Sequence, residues 1–282
     1  MQLIHDLNRY IELRRPSVET PLWRYVYGGR PKPFFHPLCT PAGHVLTLTE
    51  PSDHVWHRGL WFTIKFVNGE NFWEEKTNTP WGDQKTLNPP TITHVADGSI
   101  AVVSKQNWVR PNGETIIDED RSFTYVPIDQ DSYAMDFSFS LTPRAEVLLD
   151  RTPFTTWGGY GGLTFRGSRN WIKTKLLFDD GTTSDRPTPK HSKWCDLTGP
   201  IDGGRESIAG VATFDHPTNL RHPTPWYGGT GIGHYYCAAF LFHEPYKLAA
   251  GQNLTLKYRT LVHDNAIDVD RMNELYADWA GK

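Results

Sequence analysis

Tyr133-Ala134-Met135-Asp136-Phe137-Ser138-Phe139-Ser140-Leu141-Thr142 places large apolar side chains at every second position, with small or polar ones between them. Successive strand residues point to opposite faces, so this run reads as an antiparallel strand with one buried and one wetted face. Leu254, Leu256 and Tyr258 repeat the pattern against Thr255, Lys257 and Arg259. Shorter strand candidates are Trp23 to Tyr27, Val45 to Leu48, Leu60 to Phe66, Ile100 to Val103 and Ser122 to Val126. Trp171 to Phe178, Ile208 to Phe214 and Cys237 to Phe242 complete the set. Asn68-Gly69, Pro111-Asn112-Gly113 and Asp180-Gly181 supply the turns that hairpins require. Only the end is helical in pattern: Asp268 or Asp270 caps a segment through Trp279, with Met272, Leu275, Tyr276 and Trp279 at helical spacing.

The chain has 282 residues, with 11 Trp, 12 Tyr and 14 Phe and only 3 Met, a balance that favours strands. Strand candidates lie on both sides of the long loops at 73–91 and 179–205. The expectation is therefore one all-β domain over residues 1–282, a large antiparallel β-sandwich with a short C-terminal helix. Loops of that length tend to cover a binding site. A net charge of −3 gives no basic field for nucleic acid. No run is apolar for long enough to span a bilayer, and the first fifteen residues do not read as a signal peptide. Cys39, Cys195 and Cys237 fit neither a disulfide framework nor a zinc spacing, which suggests free thiols in a cytoplasmic, reducing compartment.

The densest chemistry lies in Asp53-His54-Val55-Trp56-His57-Arg58-Gly59-Leu60-Trp61-Phe62. Imidazoles transfer protons or ligate metals near neutral pH, Arg supplies a fixed cation, and Trp supplies flat apolar walls. The bland alternative is a buried strand whose polar groups bond each other. On a continuous strand His54 and His57 point apart, whereas in a loop they converge. A divalent metal would need further ligands, for which His36 and His216 are the best offers; no cofactor is indicated more firmly than that.

Other candidates are scattered. His36 sits in an extended Pro33-Phe34-Phe35-His36-Pro37 segment. Asp215, His216 and Asn219 follow a strand end, where they suit polyol recognition or simply close an Asx-type turn. Glu74 and Glu75 follow Phe72-Trp73, and at most one of them should face a shared site. In Trp157-Gly158-Gly159-Tyr160-Gly161-Gly162 the glycines permit close approach, and the Tyr160 hydroxyl is a candidate donor to a ligand. No phosphate loop or Gly-x-Ser-x-Gly element is present.

Several blocks, in this order, resemble the bacterial PmoA-like family. They are Pro33 to Pro37, Thr40-Pro41-Ala42-Gly43, Asp53 to Phe62, Asn68-Gly69 to Glu75, Asp215-His216-Pro217 with Asn219, and Pro223 to Trp226. The ending, Ala249 to Gln252 with Leu254 to His263, resembles the closing strands of galactose-mutarotase-like supersandwiches. Those proteins bind sugars on a sheet face and often use His and Glu as acid and base. The resemblance thus implies a carbohydrate-active enzyme, of epimerase, mutarotase, lyase or hydrolase type, acting on a sugar or keto sugar. His54 or His57 would be the acid or base, Arg58 the oxyanion stabiliser and Glu75 the partner base. Trp61 and Trp73 would stack on the sugar, while His36, Tyr160, His216 and Asn219 would position hydroxyls. A non-catalytic sugar-binding protein and a metal-dependent enzyme are the alternatives, with a small sugar as the expected ligand and the oligomeric state open.

Overall fold

The computed structural model describes residues 1–152, 158–186, 189–201, 207–231 and 233–281. Two large sheets and a small one make up an all-β sandwich. In the nine-stranded sheet the order is Gln2–Asp6, Tyr10–Arg14, Trp23–Val26, Phe34–Leu38, Leu60–Thr63, Gly162–Arg166, Tyr235–Ala238, Pro225–Gly229 and Lys190–His191. The centre of the ten-stranded sheet runs Trp194–Pro200, Ile208–Asp215, Leu254–Asp264, Ser132–Pro143, Thr115–Pro127 and Ile100–Val109. Tyr246–Leu248, Val147–Asp150, Phe66–Val67 and Glu70–Asn71 form the third sheet.

The alternating run from Met135 to Leu141 pairs in register with Thr115–Pro127 on one side and Leu254–Asp264 on the other. Its apolar side chains meet those of the nine-stranded sheet. Phe137 packs edge-on to Phe35 at 5.6 Å, and Phe139 stacks on Phe62 at 4.1 Å and 9°. One hydrophobic core extends this way from Ile11 to Val262. The C-terminal helix, Val269–Ala280, is capped by Asp268, whose Oδ1 accepts from Arg271 N at 2.8 Å. The helix covers the opposite face of the ten-stranded sheet through Met272, Tyr276 and Trp279, against Ala134, Phe214 and Leu261.

Several expected boundaries shift. Val45 to Leu48 makes only isolated bridges, Cys39 to Val45 and Thr47 to Gly167. Within 171–178 only Lys175–Phe178 is a strand, and the 237–242 run ends as a strand at Ala238. The supposed loops at 73–91 and 179–205 contain the strands Asp83–Thr86, Lys190–His191 and Trp194–Pro200. The first fifteen residues, in which no element was expected, hold the Gln2–Asp6 and Tyr10–Arg14 hairpin. Among the described residues no helix is long and apolar enough to cross a membrane.

Candidate functional site

Strand parity divides the Leu60–Thr63 strand. Leu60 and Phe62 enter the core, while Trp61 turns to the outer face of the nine-stranded sheet, beside Phe34 and Trp73. A cavity of about 710 Å³ lies over that face, within the range usual for small-molecule sites. Its lining includes His54, Trp56, His57, Trp73, Glu74, Tyr160 and Arg166. Asp185, Arg186, Tyr227 and Tyr235, with Gly229, Gly231 and Gly233, complete it.

The two histidines converge because they lie on consecutive turns rather than on a strand. His54 N donates to Pro51 O at 3.0 Å, and His57 N donates to His54 O at 2.9 Å. Gly59 then lets the chain enter the sheet: its φ is +77°, and a Cβ there would lie 2.4 Å from Phe35 O. His57 stacks on His54 (4.6 Å, 23°) and on Tyr235 (5.4 Å, 16°), above a tilted Trp61 at 5.2 Å. His57 is 6% exposed, and its Nδ1 has no hydrogen-bond partner among the described residues. Burial, reinforced by the nearby His54 and Arg166, holds its pKa well below the ordinary imidazole value, so the ring is neutral at pH 7.

Asp53 organises the charge beside this pair. Its carboxylate takes Arg166 Nη2 at 2.7 Å and Arg169 Nη2 at 3.1 Å, and lies 3.2 Å from His54 Nδ1. Burial alone would raise the Asp53 pKa, but the Arg166 hydrogen bond and charge, with His54, outweigh it and hold the carboxyl well below its usual range. Gly233 lies against Arg166, where a Cβ would approach the guanidinium to 2.5 Å.

Elsewhere in the lining, Glu74 pairs with Lys65, accepts from Asn71 Nδ2 at 3.0 Å and takes the Tyr160 hydroxyl at 3.4 Å. Asn71 Oδ1 receives the backbone N–H groups of Trp73 and Glu74, at 2.9 and 3.0 Å, and so fixes the turn that presents them. Thr152 Oγ1 donates to Tyr160 Oη at 3.2 Å, and the Tyr160 ring packs on Trp73 at 5.0 Å. Burial is the chief cause that raises the Tyr160 pKa to about 12, so the phenol keeps its proton. Trp157, from the same glycine-rich run, lies outside the described residues.

The structure therefore gathers His54, His57, Trp73 and Tyr160 at the cavity, with Trp61 beneath them, and places the other candidates elsewhere. Arg58 and Glu75 do not line it. Arg58 is fully buried and donates from Nε to Glu75 at 2.5 Å, while Glu75 also holds Lys32 at 2.5 Å and Arg58 reaches Glu50 at 2.7 Å. Their polar groups bond each other, as the bland reading required. Of the two adjacent carboxylates, it is Glu74 that faces the cavity. His36 is tied to Thr47 Oγ1 at 2.9 Å, and burial, with Arg24, lowers its pKa to about 4. His216 bonds Thr218 at 2.8 Å and packs edge-on against Trp279 of the helix at 5.1 Å. Asn219 closes a turn: it donates to Asp215 Oδ1 at 2.7 Å and Lys257 O at 2.6 Å, and accepts from Lys257 N at 2.7 Å. The metal set expected from His54 or His57 with His36 and His216 is thus not assembled. Among the described residues no group of three or more His, Cys, Asp or Glu is disposed to hold an ion.

Arg166, Tyr227 and Tyr235 are site residues that no motif announced. The available signal was the glycine-rich stretch from Gly228 to Gly233, set between two tyrosine-bearing strands. Residues 17–277 match the model of a family of unknown function, DUF6807. The chain belongs to that family. The match covers the ten-stranded sheet, the nine-stranded sheet except its first two strands, and the whole cavity; it names no activity and does not bear on the PmoA-like resemblance. No curated protein matches the chain.

Proposed function

We propose that the cavity is the active site of a carbohydrate-processing enzyme acting on a sugar or keto sugar. The observation that carries this reading is the neutral, buried His57, held between aromatic faces in a cavity whose lining also presents a protonated phenol. Trp56, Trp73 and Tyr235 offer flat surfaces to the C–H faces of a pyranose, while Glu74, His54 and Arg166 offer polar groups to its edge. His57 accepts a proton from a hydroxyl, or from a carbon next to a carbonyl. Arg166 and His54 stabilise the negative charge that develops on oxygen, and Tyr160, backed by Glu74, returns a proton. Epimerisation, mutarotation and elimination at a glycosidic carbon share that proton traffic. Arg166 and Glu74 here take the roles that sequence resemblance gave to Arg58 and Glu75.

The galactose-mutarotase likeness of the closing strands adds analogy, and fold alone does not set function. Three free, buried cysteines suit a reducing compartment, so a cytoplasmic location belongs to the same proposal.

The depression of the His57 pKa also favours a second reading, a sugar-binding protein without turnover, because a strongly depressed imidazole is a weak base. One experiment separates the two. The purified protein is incubated in deuterated water with a panel of aldo- and keto-glycosides, and proton NMR and calorimetry are recorded together. Conversion or deuterium exchange that is lost in His57→Ala supports the enzyme. Binding without either supports the binding protein, and no binding by any member of the panel overturns both.

A further inference from the structure

Away from His54 and His57, a second pair of histidines meets at the far edge of the nine-stranded sheet. His191 ends the two-residue edge strand Lys190–His191, which pairs with Pro225–Gly229, and His243 lies in the turn beyond Tyr235–Ala238. Their rings are parallel to within 2°, with centroids 5.4 Å apart and the two Nε2 atoms 3.3 Å apart. We propose that His191 and His243 form a two-histidine site for a borderline divalent metal such as zinc, nickel or copper, independent of the sugar reading.

The distance has a direct meaning. Two zinc–nitrogen bonds of about 2.0–2.1 Å, opened to a tetrahedral angle, separate their nitrogens by about 3.3 Å. The protonation pattern agrees. His191 Nδ1 lies 2.8 Å from Pro223 O, a carbonyl that only accepts, so Nδ1 carries the proton and Nε2 presents its lone pair toward His243. A metal-ligating imidazole commonly donates its other N–H to a backbone carbonyl in this way, which fixes tautomer and ring orientation together.

The backbone that carries the second ring is also braced. Arg151 donates from Nη2 to His243 O at 2.8 Å and from Nε to Phe242 O at 3.2 Å, and Phe242 N donates to Ala239 O at 2.8 Å. Both side chains are exposed, so two coordination positions remain for water or a small ligand, and the ion exchanges freely. Imidazole donors without carboxylates select against magnesium and calcium. The bound ion ties an edge strand to a turn 52 residues later in the chain. That turn carries Phe242, whose ring packs on Tyr227 of the cavity wall at 5.7 Å.

Isothermal titration of the purified chain with zinc chloride at pH 7.5 tests the proposal, alongside His191→Ala, His243→Ala and the double variant. The expected result is one ion per wild-type chain, at least tenfold weaker binding in each single variant and none in the double. Zinc should raise the melting temperature of the wild type but not of the double variant. Circular dichroism checks that the variants are folded. Copper loaded at one equivalent should show nitrogen coupling from two imidazoles in its electron spin resonance spectrum. Zinc binding that survives unchanged in the double variant overturns the site. Absence of binding to the wild type also overturns it and leaves the pair as a hydrogen bond.

Discussion

His54 and His57 lie ring over ring, 4.6 Å apart and 23° from parallel, and only one of them is deeply buried. A proton on His57 is opposed first by burial and then by the charge of its neighbour, so its pKa lies well below the ordinary imidazole value. Its neutral form therefore persists below the pH at which an ordinary imidazole takes up a proton. If His57 is the base, the acid limb of a turnover-against-pH profile falls below pH 6.5. A limb centred at or above 6.5 would assign the titration to another group.

Two further histidines should shape stability with opposite signs. His36 has a folded pKa of about 4, so between that value and about 6.5 the unfolded chain binds the extra proton. Its contribution is complete above pH 6.5 and is lost as pH falls toward 4, up to about 3 kcal/mol. For His263, burial lowers the pKa, but Asp196 at 3.2 Å and the bond to Asn265 O win and raise it. That contribution is complete below about 6.5 and is lost as pH rises through the raised value. Urea unfolding should show His36→Gln flattening the acid loss. Asp196→Asn should cost about 2 kcal/mol at pH 6 and less at pH 9.

Glu74→Gln and Glu75→Gln should separate function from folding. Removing the Glu75 charge leaves buried Lys32 without its ion-pair partner and Arg58 with Glu50 alone, at a cost of about 3–5 kcal/mol in chemical denaturation. Glu74 is partly exposed although its partner Lys65 is buried, so Glu74→Gln should cost less, about 2 kcal/mol, while lowering turnover or affinity if the cavity is the proposed site. Equal destabilisation by the two variants would contradict this division.

Tyr227 has a buried hydroxyl with no hydrogen-bond partner among the described residues, and it lines the cavity. Tyr227→Phe removes an unsatisfied polar group, so the melting temperature should stay level or rise. If the proposed sugar supplies the missing partner, its affinity should fall. A melting temperature several degrees lower with unchanged affinity would show the reverse.

The sandwich was legible because Met135 to Leu141 alternates without interruption and because Asp268 announces its helix. Alternation is a local property, and a strand carries it wherever it sits. The hairpin at Gln2–Asp6 escaped notice because an edge strand with mixed exposure shows little contrast between its faces. His54 and His57, dense in the sequence, both line the cavity, whereas Arg58 of the same stretch turns to Glu75 instead. An arginine between aromatics looks the same in sequence whether it faces a ligand or a buried carboxylate. Arg166 and Tyr235 became site residues only through the pairing of Gly162–Arg166 with Tyr235–Ala238, a relation between distant segments that no window of sequence contains.

Glu74 and Glu75 occupy adjacent codons but answer to different selection. Position 75 is closed to drift by the two cations that depend on it, whatever the ligand. Position 74 can change without loss of the fold, provided that Lys65 is accommodated. Substitution at position 74 therefore rewrites the chemistry facing the cavity while leaving the Arg58–Glu75–Lys32 cluster intact.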